Sequence, residues 1–149
     1  MDKTFSHMSA RAFCHATEYL ERVKTAVVNI TGDPAPSTRR VEGIHGNPIW
    51  IIESHMEGSD AAATLIRKMS LEDQRRIIDT IDSRLDDGCN LFIRFDKQSA
   101  FLGTTTLATN DDVVLVRLKV RAYPARPEVA KQLVREHILK EIPDRDVKA

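Results

Sequence analysis

Residues 112–123, "DVVLVRLKVRAY", alternate more strictly than any other stretch of the chain. Val114, Val116, Leu118 and Val120 hold one parity, and Arg117, Lys119 and Arg121 hold the other. Successive side chains of a strand point to opposite faces, so this run reads as a strand with one apolar and one cationic face. The apolar face needs a covering layer; the cationic face stays at least partly open to water. Any fold for this chain has to supply both surroundings.

The remaining elements supply the cover. Phe5 to His15 reads as a strand, with Met8, Ala10, Ala12 and Cys14 on one side and Ser9, Arg11, Phe13 and His15 on the other. Thr17 is the expected N-cap of a helix carrying Leu20, Val23, Val27 and Ile30, closed by Gly32. "DPAPSTRR" is a loop by composition. "RVEGI" and "PIWIIESHM" read as two short strands around "GIHGN". In that turn Gly43 and Gly46 are expected to take positive φ, and Pro48 starts the second strand. The unbroken run Ile49–Ile52 predicts an inner strand covered on both sides. Ser59 is expected to cap a helix over Asp60–Lys68. Ser70 with Asp73 starts another, whose stripe is Ile77, Ile78, Ile81 and Leu85 and which Gly88 stops. "CNLFIRFDK" places Leu91, Ile93 and Phe95 opposite Phe92 and Arg94, and "QSAFLGTTTLA" is expected to continue this strand or pair back on it. Pro127 opens a last helix carrying Val129, Leu133, Val134 and Ile138. The order β-α-β-β-α-α-β-β-β-α predicts one α+β domain over residues 1–149, with helices packed on one face of a largely antiparallel sheet.

The open face would carry Arg11, Phe13 and His15 from the first strand, Phe92 and Arg94 from another, and Arg117, Lys119 and Arg121 from the opening stretch. His45 and Asn47 sit at the "GIHGN" tip, beside Arg39 and Arg40 one strand earlier. Lys+Arg and Asp+Glu each total 22, so the net charge is zero and a basic face requires segregation. Glu72, Asp73, Asp79, Asp82, Asp86 and Asp87 crowd one helix and its end, so the acids are expected elsewhere. Cations interleaved with aromatic rings suit single-stranded RNA, with phosphates on the cations and unstacked bases on the rings. The same pattern also fits a solvated, edge-protecting face, or one covered by a second copy of the chain in a homodimeric adaptor.

Other chemistry finds little support. Cys14 and Cys89 sit far apart in apolar, strand-like runs and read as buried free thiols of a reducing compartment. No apolar run is long enough to span a membrane, and the N-terminal segment lacks the apolar stretch of a leader, so a cytoplasmic protein is expected. The histidines match no zinc spacing. Asp79, Asp82 and Asp86 share a helix face but read as solvated rather than metal-binding. "G-x-S-x-G", "HExxH" and a Gly-rich phosphate loop are absent, so no enzyme, metal or cofactor is expected. A hydrolase centred on His45 would need a pocket and a carboxylate partner.

"RAFCHATE", "VEGIHGNPI", "LFIRFDKQSAFLG" and "VRLKVRAYP" together resemble an archaeal family of small RNA-binding proteins, once classed as a domain of unknown function and predicted to be exosome-associated. The likeness runs from about Ser6 to Ile138, and "HGNPI" and "DKQSAFLG" are its most specific parts. It implies a fold like ribosomal protein L-five and a role in RNA binding tied to exosome function or ribosome biogenesis. The family's motifs fall on His45, Gly46, Asn47 and Pro48, and on Asp96, Lys97, Gln98 and Phe101. Many members are expected to carry a second His where this chain has Ile44. From the resemblance, Lys97 and Gln98 would supply phosphate and base-edge contacts, with Asp96 orienting Lys97 or capping the turn. Equally, "DKQSAFLG" is a hairpin corner whose Phe101 and Leu102 plug the core.

Overall fold

A computed structural model describes the backbone of residues 3–148 and the side chains of residues 3–140. Met1 and Asp2, part of the segment read as carrying no leader, lie outside the described residues. The elements in chain order are β1 (Phe5–Cys14), α1 (Leu20–Thr31), β2 (Ser37–Glu42), β3 (Pro48–Glu57), α2 (Asp60–Lys68), α3 (Leu71–Asp79), α4 (Ile81–Arg84), β4 (Asn90–Asp96), α5 (Lys97–Phe101), β5 (Val113–Val120) and α6 (Pro127–Lys148). The fold is α+β, with a five-stranded antiparallel sheet in the order β2-β3-β1-β5-β4. β3 lies between β2 and β1, as its apolar run requires, and neighbouring Ile51 and Ile52 are both buried.

The chain divides into two compact units, and several strands pass from one into the other. The first unit holds the start of β1, residues Glu57–Ile93, and everything from Arg117 on. Its core contains Phe5, Leu65, Ile66, Ile77, Leu91, Ile93, Leu118, Val134 and Ile138, all buried. Ser70 caps α3 by accepting from the Asp73 amide, as the box predicts. Ser59 precedes α2 but turns its hydroxyl to the Phe5 amide instead of capping. The helix expected to run on to Gly88 breaks at Thr80, giving α3 and α4. No Gly or Pro marks the break. The Thr80 hydroxyl accepts from Arg84 Nε and donates to the Arg76 carbonyl, bonds that a mid-helix Thr makes in competition with the backbone. Gln74 is fully buried because its amide donates to the last carbonyls of α2, Ile66 and Met69. His137 is also core, edge-on to the Phe5 ring at 5.2 Å. Cys89 is buried as expected, but in a turn with φ 62° rather than a strand.

The second unit holds Ser9–Met56 and Arg94–Val116. Met8 at its border, and Ala10, Ala12 and Cys14 within it, are buried along β1, while Arg11 and His15 are exposed and Phe13 is 44% exposed. α1 starts later than expected: Tyr19, not Thr17, is its N-cap, and it makes no side-chain cap bond. Gly32 closes α1 in the left-handed region at φ 78°. α1 packs against α5, and Asn29 Nδ2 donates to the Ala100 carbonyl at 2.9 Å. α5 replaces the strand expected for "KQSAF". Asp96 is its N-cap, accepting from both the amide and the hydroxyl of Ser99. Ala100 is the residue this corner buries; Phe101 is only half-buried and Leu102 is 78% exposed, so neither plugs the core. One contact of the expected return pairing survives, an isolated bridge between Phe95 and Leu107.

Candidate nucleic-acid interface

The outward parity of the second unit is set by strand register. β2 pairs with β3 so that Arg39 faces Ile51 and Arg40 faces Trp50. Adjacent strand residues point to opposite faces, so Arg39 and Arg40 cannot serve one surface. Arg39 Nε reaches Glu53 Oε1 at 2.9 Å, and Arg11 reaches Glu53 Oε2 at 2.9 Å. Arg39 therefore shares the face of Arg11, and Arg40 lies on the other. Hydrogen bonds from Arg39 and then Arg11 hold the Glu53 carboxyl below its usual range. Acids are thus not confined to α3: Glu53 stands between two of the expected RNA-facing arginines. All three side chains keep access to water, so each pair adds only about 0–1 kcal/mol to stability.

Next to them, Arg11, Phe13, His15, Arg94, Asp112 and Leu115 line a shallow cavity of about 160 Å³. Arg94 is exposed, and no carboxylate partners it among the described residues. An exposed ring and two guanidinium groups lining one cavity offer a stacking surface with phosphate partners beside it.

Lys97 is placed differently from the expectation. It is 4% exposed, and its ammonium donates to the Phe13 carbonyl at 2.9 Å, to Glu18 at 2.8 Å and to Asp112 Oδ1 at 2.8 Å. Three acceptors use all three donors of an ammonium, so none is left for a phosphate. Burial alone would lower the Lys97 ammonium, but its bonds to Asp112 and Glu18 outweigh it and hold it above its usual value. Burial likewise pushes the Asp112 carboxyl up, and bonds from Lys97 and Gln98 outweigh it and leave it low. Lys97 is thus a buried tie between β1, the start of α1 and the start of β5. Period-two register gives the signal for this: Leu91, Ile93, Phe95 and Lys97 share a parity, and all four are buried. Gln98 is exposed, and its amide donates to Asp112 Oδ2 at 2.9 Å.

The "GIHGN" tip exposes Ile44, His45 and Asn47. Gly46 takes the expected positive φ of 76°, but Gly43 does not. At Gly43 space is tight instead: a Cβ there would lie 3.1 Å from Ile49 Cδ1 and 3.3 Å from the Asn47 carbonyl oxygen, so these neighbours would have to give way. In the first unit, Phe92 is half-buried, Arg117 and Arg121 are exposed, and Lys119 Nζ donates to the Gly88 carbonyl. Asp82 of that unit pairs with Lys131 at 2.9 Å, and Asp86 accepts from the Asn90 amide, so the acid cluster read on one helix face is divided. Among the described residues no group of His, Cys, Asp and Glu is placed to hold a metal, and no helix is long and apolar enough to cross a membrane. The sequence reading missed Glu53 as a partner on the face, and missed Tyr19 and Arg22, whose guanidinium lies 4.9 Å from the Tyr19 ring centroid.

The chain is similar to several known proteins. RNA-binding protein PAB1135 of Pyrococcus abyssi is 31% identical over 136 residues, spanning 85% of this chain and 88% of the relative. MJ0213 of Methanocaldococcus jannaschii is 26% identical over 136 residues, spanning 83% and 91%. The solved structure of Mth689, a DUF54 protein from Methanothermobacter thermautotrophicus, superposes with a TM-score of 0.77 at 28% identity, covering 91% of this chain and 98% of that one. The model of the RNA-binding family matches residues 7–120, and the chain belongs to that family.

Proposed function

We propose that this chain is an RNA-binding protein without catalytic activity, a cytoplasmic accessory factor in RNA processing or degradation linked to the exosome or to ribosome assembly. The observation that carries RNA binding is the exposed Phe13 ring sharing one shallow cavity with Arg11 and Arg94. Single-stranded RNA fits it best, because a ring can stack only on a base that is out of a helix. Phosphate contacts fall to Arg39, Arg94, Arg117, Lys119 and Arg121, and to Arg40 from the other side of β2. Phe92 is a further stacking ring, and His45, Asn47 and Gln98 are polar contacts at the rims. Lys97 leaves this set because its donors are spent. The link to the exosome or ribosome assembly rests on the resemblance carried by "HGNPI" and "DKQSAFLG".

Filter binding of a single-stranded and a structured RNA over a salt series tests the reading. The expected result is tighter binding of the single strand, with affinity falling steeply as salt rises. No binding at low salt, or affinity independent of salt, overturns it. A homodimeric adaptor that uses the sheet face for protein contact is the alternative, and Phe13, 44% exposed on that face, is the apolar group a second copy would cover. Sedimentation giving a stable dimer that Phe13→Asp dissociates would support that second reading.

A further inference from the structure

A second cavity in the same unit, about 250 Å³, lies between the start of α1 and α5. Its walls include Thr17, Glu18, Tyr19, Arg22, Gln98 and Phe101. We propose that this cavity takes one unstacked RNA base, with Tyr19 as the stacking ring, Arg22 as the phosphate partner at the mouth, and Gln98 and Thr17 at the base edge. The inference rests on the RNA-binding reading and adds a site to it.

Four observations carry it. Tyr19 is 70% exposed although it caps a helix, so folding leaves its ring in water. Arg22 lies over two rings, 4.9 Å from the Tyr19 centroid and 5.7 Å from that of Phe101, so a planar cation and two aromatic faces already meet at the opening. The charge balance of the walls selects the occupant. Lys97 is spent on Glu18 and Asp112, and Arg22 is the wall cation with no carboxylate partner among the described residues. An anion has no cationic floor to sit on, whereas a neutral ring meets apolar and polar walls and leaves its phosphate outside with Arg22. Size agrees: the cavity is below the roughly 300–1,000 Å³ of sites for drug-sized ligands and has room for a single ring system.

The position adds a direction. Lys97 lines both this cavity and the shallow one beside Phe13, so the two are neighbours around one buried side chain. A strand whose base stacks on Phe13 can place a following base on Tyr19. Gln98, tied to Asp112, stands where the two cavities meet.

Two measurements test the site, and they fail separately. In the first, the intact protein is titrated with adenosine 5′-monophosphate and backbone amide shifts are followed. Shifts clustered over residues 17–23 and 97–101 are expected; their absence there overturns the site whatever the RNA result. In the second, Tyr19→Ala, Tyr19→Phe and Arg22→Ala are compared with wild type on a short oligoadenylate. Tyr19→Ala should weaken binding about fivefold to a hundredfold, the span of one base stack, with an unchanged salt slope. Tyr19→Phe should bind like wild type, and Arg22→Ala should flatten the slope. Wild-type affinity in Tyr19→Ala overturns the site. If wild type itself binds no RNA at low salt, the proposed function falls, and the nucleotide titration alone decides whether the cavity takes a base.

Discussion

Two regions of this chain carry the same residue types and use them in opposite ways. At the start of α5, Lys97 is buried and its three donors are spent on Phe13, Glu18 and Asp112. At the end of β5, Arg117 and Arg121 are exposed, and Lys119 Nζ donates to the Gly88 carbonyl. Both stretches read as basic positions suited to phosphates. The difference teaches that the number of donors left to water, rather than the charge, separates a contact residue from a structural one. A buried cation with a full set of acceptors stabilises its own fold; an exposed one keeps its charge for a partner.

The largest expected effect breaks the first region. Lys97→Met leaves Glu18 and Asp112 facing each other without the ammonium. Because both carboxylates keep some access to water, the loss should sit at the low end for a broken buried pair, about 3 kcal/mol. Thermal denaturation should then show a midpoint lower by roughly 6–12 °C. Next in size is the second region. Arg117→Ala with Lys119→Ala should leave stability within about 0.5 kcal/mol. It should weaken single-stranded RNA binding several-fold and flatten the salt slope by about 1.4, two phosphates' worth.

The middle case is Glu53, which holds two exposed arginines. Glu53→Gln should cost under about 1 kcal/mol in urea unfolding and tighten low-salt RNA binding, because Arg11 and Arg39 are released. The smallest expected effect is on pH. The folded values of Glu53 and Asp112 are lowered, so their stabilisation is full above the unfolded carboxyl pKa of roughly 4 and is lost as pH falls through the folded values. Lys97 is raised, so its contribution is full below the unfolded value of roughly 10.4 and fades as pH climbs through the folded one. Cys14, raised by burial, likewise contributes fully below its unfolded value of roughly 8.5 and fades above it. Stability should therefore be flat only between the carboxyl and thiol limits, and Lys97→Met should remove Lys97's share of the alkaline decline together with Asp112's share of the acid one. Urea midpoints across pH would measure both.

Much of the frame was legible because strands advertise their faces. The parity of β1 and β5 predicted which residues are buried, and the Ser70–Asp73 pair predicted the start of α3. What was lost lies where an element is too short to show a period. α5 has five residues, so only its cap could reveal it, in the Asp96–Ser99 spacing. The break at Thr80 carries no breaker residue and coincides with a side chain bonding the backbone four residues earlier. The burial of Lys97 was written in the strand before it, since it continues the parity of Leu91, Ile93 and Phe95. Its polar type masked that register. Arg39 and Arg40 show the opposite case: neighbours in sequence suggest neighbours on a surface, but adjacent strand residues diverge.

The most direct test of the claim that free donors make the RNA contact is a pair of salt slopes. Arg94→Ala and Lys97→Met, each measured below its unfolding transition, are compared with wild type on one single-stranded RNA. Arg94→Ala should flatten the slope by about 0.7, one phosphate on a single strand, while Lys97→Met should leave it unchanged. An equal loss of slope in both variants, or a loss in Lys97→Met alone, would contradict the account.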